Sequence, residues 1–175
     1  MPGRAATVLF DFDGTLVRGD CAAAWLRDLL ASHPLRRLLA GASFPVLKPA
    51  FGWWRVAWMP ASFYTWLATV GRTDEALAEA REDFLRLCAA RREQLLIAPA
   101  VARLHAHLAV GDPVVIVTGA EAGLARSLWR ALGQPDVPVV GSSVRPALGG
   151  YIGAEHTVGP RKLQALRRLG IHPPF

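Results

Sequence analysis

Thr7-Val8-Leu9-Phe10-Asp11-Phe12-Asp13-Gly14-Thr15 places an apolar run directly before two carboxylates one residue apart and a glycine. The run reads as a buried strand, and a glycine directly after it lets the backbone turn sharply. Acids at the carboxyl end of such a strand form a concave acidic site at the edge of a sheet, where α/β folds place their chemistry. Residue types of roughly 5–7% average usage match all four fixed positions by accident at about one position in 10^5. The bland alternative is an acidic turn closing an edge strand.

Two further pieces lie downstream. Pro113-Val114-Val115-Ile116-Val117 is a β-branched run consistent with a second buried, parallel strand. It ends in Thr118-Gly119-Ala120, before a helical stretch from about Glu121 to Leu132. A hydroxyl and a glycine amide facing a helix N-terminus make a phosphate cradle, although the same turn is common as plain structure. In Gly159-Pro160-Arg161-Lys162, the proline suits a first helical position and Gly170 a stop, which puts Lys162 in the first turn of a helix. Only Lys48 and Lys162 among the 20 basic residues are lysines. Lys162 is the favoured site cation, with Arg161 as its competitor.

Asp11-Phe12-Asp13-Gly14-Thr15, the Thr118-Gly119 strand end and the Gly-x-x-Lys of residues 159–162 together resemble the haloacid dehalogenase superfamily, subfamily I. The resemblance implies an α/β fold, a Rossmann-like parallel sheet with an inserted helical cap of the C1 type. The core would be residues 1–17 and 98–175, and the cap 18–97. It also implies roles. Asp11 would be the nucleophile that becomes an aspartyl phosphate, and Asp13 the general acid/base. Gly14, Thr15, Thr118 and Gly119 would bind phosphate, and Lys162 would neutralise Asp11 and the phosphoryl oxygens. The chemistry agrees with those residue types: an ionised carboxylate can attack phosphorus while a second protonates the leaving oxygen and then activates water. Adjacent carboxylates repel, so a hard cation is required, and Mg2+ held by Asp11 and Asp13 is the expected cofactor. The superfamily's fourth acidic segment does not occur before Phe175, so the chain reads as a truncated form with an open edge on its first strand.

At 175 residues and 52% apolar composition, one catalytic unit with an insertion and a real core is expected. Cys21 and Cys88 have no C-x-x-C spacing and read as small buried hydrophobes. The arginines behind the net charge of +6 are scattered, with no recognition motif, so no nucleic acid is expected as a partner. His105 and His107 lie two apart on a helix and face different directions. No signal-peptide hydrophobic region precedes the first strand, and a cytoplasmic location is expected.

The insertion reads as helical. Asp20 can cap a helix to about Ser32 and is also close enough to the nucleophile to face the substrate pocket. Thr73-Asp74-Glu75 opens a helix to about Gln94. Between them, from Leu29 to Thr73, there is no acidic residue, and Arg36, Arg37, Lys48, Arg55 and Arg72 are interleaved with a dense aromatic set. An anionic membrane interface selects rings flanked by cations, and Trp53, Trp54, Arg55 and Trp58 are the expected membrane-facing residues, with Arg36, Arg37 and Lys48 drawn to anionic lipid. Packing of these rings inside the cap is the alternative. No uncharged run reaches the ~18–20 residues of a spanning helix, so peripheral contact at the inner face of the membrane fits better. Arg55-Val56-Ala57-Trp58-Met59-Pro60 extends the resemblance to the phosphatidylglycerophosphatase C group, implying an anionic phospholipid phosphate as substrate. A soluble phosphomonoester such as phosphoserine is the close rival. An inactive membrane- or phosphate-binding protein is the rival of another class. Residues 142–152 read as a hairpin with no assigned chemistry.

Overall fold

A computed structural model describes residues 6–53 and 56–171. The apolar run becomes β1 (Val8–Asp11), and the β-branched run becomes β2 (Val114–Glu121), which extends four residues beyond Val117 through the Thr-Gly turn. They pair in parallel, with Asp11 opposite Val117. β3 (Val139–Ala147) adds in parallel to β2, and β4 (Gly150–Glu155) returns antiparallel to β3, giving the order β1-β2-β3-β4. Parallel pairing brings the carboxyl ends of β1, β2 and β3 to one edge of the sheet.

The period of two along β2 explains its composition. Val114 and Ile116 enter one core with Phe12, Leu104, Leu128 and Trp129, and Val115 and Val117 enter another with Val140 and Leu166. The first core is closed by α6 (Ala98–Ala109) and α7 (Ala122–Ala131), and the second by α8 (Pro160–Arg168). A strand covered on both faces has no solvent side, so it reads as continuous valine and isoleucine. This is an α/β fold with a sheet that is parallel over three of its four strands.

Between β1 and α6 lie five helices: α1 (Cys21–Ala31), α2 (Pro34–Phe51), α3 (Trp58–Thr69), α4 (Asp74–Ala90) and α5 (Arg92–Leu95). Asp20 caps α1 by accepting from the Ala23 amide at 2.8 Å, and Thr73 caps α4 by accepting from Ala76 at 3.2 Å. The helix expected to run to Gln94 stops at Ala90, because Arg91 leaves helical geometry (φ −112°, ψ 20°) before the short α5 resumes. Leu29, Leu30, Tyr64, Leu67 and Ala68 form a core of these helices' own. Arg36 donates to the Ala68 and Val70 carbonyls, and Arg72 to Leu29 O at 2.8 Å and Ser32 Oγ at 2.7 Å. Arg36 is thus turned inward, not toward lipid, because helix-end carbonyls lack intrahelical partners and a guanidinium supplies them.

α2 continues through Pro45 and Pro49 and buries none of its residues. Each proline leaves a carbonyl four residues earlier unpaired, and here those carbonyls belong to the exposed Gly41 and Pro45, where water can serve them. The two ends of the helical segment run side by side: Val17 bridges Leu96, and Ile97 N donates to Leu16 O at 3.0 Å.

The hairpin does more than border the sheet. Tyr151 N donates to Thr69 Oγ1 at 2.8 Å, Gly71 N to Gly149 O at 2.7 Å, Gly153 N to Ser62 Oγ at 3.2 Å and Trp66 Nε1 to Leu148 O at 3.1 Å. α3 approaches so closely that a Cβ on Gly150 would lie 2.9 Å from the Val70 backbone.

Candidate active site

β1 ends in a tight turn in which Gly14, at φ +75°, donates its N–H to Val17 O at 2.7 Å. The turn aims Asp13 at two donors: Cys21 N meets Oδ1 at 2.8 Å and the Thr118 hydroxyl meets Oδ2 at 2.8 Å. Thr118 is fully buried and its Oγ1 also accepts from Ala120 N at 2.9 Å. The hydroxyl therefore fastens the end of β2 to Asp13.

Asp11 stands further out, its side chain 46% exposed, with Oδ1 at 2.6 Å from Lys162 Nζ. Gly159, at φ +56°, precedes Pro160 at the first position of α8 and turns the first helical turn toward the sheet edge. Behind Gly119, Ser142 Oγ donates to the Gly119 carbonyl at 2.6 Å while accepting from Thr157 N at 2.9 Å. This fixes the Thr118-Gly119 backbone against β3. The buried Cys21 thiol has its pKa pushed up, first by burial and then by the Asp13 carboxylate, so it stays protonated.

A pocket of about 760 Å³ opens over this edge. Its floor carries Asp11, Asp13, Gly119 and Lys162, and its roof is apolar, built from Trp25, Leu26, Phe51, Trp58 and Leu77 of the inserted helices. Arg81 of α4 reaches across to Glu121 at 3.2 Å, and the Tyr151 hydroxyl donates to Asp74 Oδ1 at 2.6 Å on another wall. That hydrogen bond is the main cause of a raised Tyr151 pKa.

The structure thus brings together Asp11, Asp13, Asp20, Gly119, Lys162 and Trp58 around one pocket. Gly14, Thr15 and Thr118 do not line it. Thr118 is buried behind Asp13, so its hydroxyl holds the carboxylate where a phosphate contact was expected. The expected cradle at the N-terminus of α7 is taken as well: Glu121 accepts from Gly123 N at 2.6 Å and Leu124 N at 2.7 Å. A carboxylate at the cap position outcompetes an external anion because the chain already holds it there. Trp53 is 66% exposed and lies outside the pocket lining, and Trp54 and Arg55 fall outside the described residues.

Sequence reasoning missed Ser142, Glu121, Tyr151, Arg81 and His156. For Ser142 a signal existed, since a third parallel strand must deliver its carboxyl end to the same edge. The others depend on how the helices fold over the sheet.

Among the described residues no three His, Cys, Asp or Glu side chains cluster as metal ligands. Asp11 and Asp13 alone supply one or two hard oxygens, a donor set that fits Mg2+, which keeps several waters and completes its shell with substrate phosphate.

Residues 8–174 match the haloacid dehalogenase-like hydrolases. Among solved structures, a protein of unknown function from Bordetella pertussis Tohama I superposes with a TM-score of 0.72 at 22% identity, over 95% of this chain and 74% of that one. Phosphoserine phosphatase in apo form superposes with a TM-score of 0.48 at 14% identity, over 86% of this chain and 62% of that one. The first of these likenesses is one of fold.

Proposed function

We propose that this chain, which belongs to the haloacid dehalogenase-like hydrolase family, is a Mg2+-dependent phosphomonoester phosphatase that works through an aspartyl phosphate. The observation that carries this reading is the Asp11–Lys162 pair at 2.6 Å, on the floor of a pocket whose second carboxylate, Asp13, is held by two donors. Asp11, partly exposed, attacks phosphorus, and Lys162 neutralises the charge on the transferring oxygens as a compact cation. Asp13 delivers a proton to the departing alkoxide and then takes one from the water that attacks the acyl phosphate, restoring Asp11. Asp11 and Asp13 would hold Mg2+, which when bound would supply charge neutralisation where the phosphate binds.

The substrate class proposed is the terminal phosphate of an anionic phospholipid, phosphatidylglycerophosphate or a relative. The apolar roof supports it, since a small polar metabolite has no use for Trp25, Leu26, Phe51, Trp58 and Leu77. The exterior supports it too. Exposed apolar side chains stand on both sides of α2, Leu35, Leu39 and Val46 on one side and Phe44, beside Arg37 and Lys48, on the other, with Leu38 between them on the outer side and Trp53 exposed nearby, and no acid occurs between Leu29 and Thr73. Phe51 and Trp58 are partly exposed and also line the pocket. Like charges disfavour self-association through α2 and favour an anionic lipid surface, with each cation contributing about 1 kcal/mol. No helix among the described residues is long and apolar enough to cross a membrane, so the proposed contact is peripheral.

Phosphate release from p-nitrophenyl phosphate and from phosphatidylglycerophosphate in mixed micelles tests both levels. Asp11→Asn is expected to abolish release and Asp13→Asn to slow it, and wild-type turnover by the Asp11 variant would refute the nucleophile. Flotation with vesicles should rise with anionic lipid content, fall with salt, and weaken in Leu38→Ser/Trp53→Ala. Absence of flotation at low salt would return the substrate to the soluble class.

A further inference from the structure

Lys162, not its neighbour Arg161, meets Asp11, yet this pair is too exposed to hold itself together. The lysine side chain is 30% exposed and the carboxylate 46%, and ion pairs in such surroundings fix their partners weakly. What places Lys162 must therefore lie behind it. The first turn of α8 leaves little slack: Arg161 N donates to Val158 O at 3.2 Å, Lys162 N donates to Gly159 O at 3.0 Å, and Pro160 fixes its own φ. Leu166 anchors the later part of the helix in the core with Val115, Val117 and Val140. The position of the first turn then depends on the residues just before it.

Those residues are fastened to the end of β3. Thr157 is buried, its N–H donates to Ser142 Oγ at 2.9 Å, and its hydroxyl donates to Gly141 O at 2.9 Å. β3 approaches the turn after β2 so closely that a Cβ on Gly141 would lie 2.7 Å from Ala120 O. His156, one residue earlier, is packed as tightly: a Cβ on Gly153 would overlap its Nε2, and burial, followed by the Arg161 charge, lowers its pKa.

Ser142 completes the connection. Its hydroxyl donates to Gly119 O at 2.6 Å, and the N–H of the same peptide, on Ala120, donates to Thr118 Oγ1, which in turn donates to Asp13. A path of bonds thus runs from Asp13 through Thr118, the Gly119-Ala120 peptide, Ser142 and Thr157 to the turn that carries Lys162, and it returns to Asp11 across the ion pair. A hydroxyl has one hydrogen, and that of Ser142 is committed to Gly119, so Ser142 does not donate to a ligand although it lines the pocket. We propose that Ser142 and Thr157 are positioning residues for Lys162, whose hydroxyls set where the cation stands relative to Asp11. The inference rests on the phosphatase reading for its effect on turnover, and on these hydrogen bonds alone for the placement of the lysine.

Lys48 and Lys162 are the two lysines of the chain, so protein labelled with 13C at lysine Cε gives two methylene signals, and Lys162→Arg identifies one of them. Lys48 is exposed and serves as the mobile reference. In the wild type the order parameter of Lys162 should lie clearly above that of Lys48, and Ser142→Ala and Thr157→Val should bring it down toward the Lys48 value. Thr157→Ser, which keeps both bonds, should hold it near the wild-type value. Ser32→Ala is the control, since the Ser32 hydroxyl also donates once and accepts once, to Leu29 O and from Arg72, but among the inserted helices. It should leave Lys162 unchanged. Thr157→Val preserves the shape of the side chain and decides the matter if Ser142→Ala does not fold. A wild-type Lys162 as mobile as Lys48, an unchanged Lys162 in either folded variant, or an equal fall in Ser32→Ala overturns the proposal.

Turnover reads the same geometry where the chemistry uses it. With p-nitrophenyl phosphate and Mg2+, Ser142→Ala and Thr157→Val are expected to lower kcat about 10- to 100-fold while KM changes less than about threefold, since a misplaced catalytic group slows the step it serves. Thr157→Ser should restore most of kcat. Loss of Lys162 order with kcat unchanged, or a change confined to KM, refutes the positioning role. A wild type that releases no phosphate refutes the phosphatase reading instead, and the order parameters then decide the placement of Lys162 by themselves.

Discussion

Replacing Thr118 by valine removes one hydroxyl from a fully buried site while keeping the shape of the side chain. That hydroxyl makes two bonds, donating to Asp13 Oδ2 at 2.8 Å and accepting from Ala120 N at 2.9 Å. Loss of a hydrogen bond to a carboxylate costs about 1.5–3 kcal/mol, and the orphaned Ala120 amide adds about 1 kcal/mol. Partial access of Asp13 to water offsets some of this, so the expected loss is about 2–3 kcal/mol. For a chain of this size that lowers Tm by about 4–12 °C. Urea unfolding followed by circular dichroism checks it: the midpoint falls while the slope is unchanged, because no surface is newly exposed in the native state. Thr118→Ser keeps both bonds and loses only a methyl group, so it should retain most of the midpoint that valine loses. Asp13 keeps its bond from Cys21 N but gains freedom to swing, and turnover falls in valine more than in serine. If valine unfolds within about 0.5 kcal/mol of wild type, or serine behaves no better than valine, the hydroxyl does not bridge β2 to Asp13.

Gly153→Ala would force the His156 ring out of its slot, with an expected cost of about 1–3 kcal/mol. Its effect should shrink in a His156→Ala background, and additive losses in that cycle would refute the contact. Glu121→Ala should cost about 1–2 kcal/mol through lost capping of α7, whereas Arg81→Met, which breaks only a pair about one-third exposed, should cost under about 1 kcal/mol. The reverse order in chemical denaturation would mean that the ion pair outweighs the cap. The lowered His156 pKa gives a pH dependence of known sign: between the folded-state value and 6.5 the unfolded chain binds a proton that the folded chain does not. Stability therefore falls as pH drops through that window, and His156→Gln should flatten this part of a Tm profile taken between about pH 7.5 and about pH 5.5.

The elements that were legible in the sequence are those whose cause is local. Val114 to Val117 are β-branched because both faces of β2 are covered, Asp20 and Thr73 mark helix starts through bonds to their own neighbours, and Pro160 and Gly170 mark the ends of α8 through the backbone angles they favour. The Asp11-x-Asp13 spacing was legible for the same reason, since a strand end and a turn fix it. Errors arose where a local rule met a competing partner. Thr118 was expected to contact phosphate, yet its buried hydroxyl is committed to Asp13. Arg36 looked like a lipid-facing cation until the ends of α3 offered it two carbonyls.

The walls of the site were illegible for a different reason. Thr118 and Asp13 are 105 residues apart, Lys162 and Asp11 151, and Tyr151 and Asp74 77. For the first pair the parallel sheet performs the joining, because β1 and β2 end at one edge, whereas Lys162 reaches Asp11 from the first turn of α8. Tyr151, His156 and Arg81 meet the pocket only because α3 is stitched to β4 by backbone and side-chain bonds and α4 swings Arg81 onto the cap of α7. No periodicity records those contacts, because a hydrogen bond from Gly153 N to Ser62 Oγ constrains one serine and one glycine in otherwise ordinary surroundings. Such a site divides its information by layer. The sheet edge that carries Asp11 and Asp13 is written in runs of residues, while the roof and seam of the pocket are written in single residues. If the proposed phosphatase reading holds, substitutions at the seam should therefore change which phosphate is hydrolysed more than whether one is.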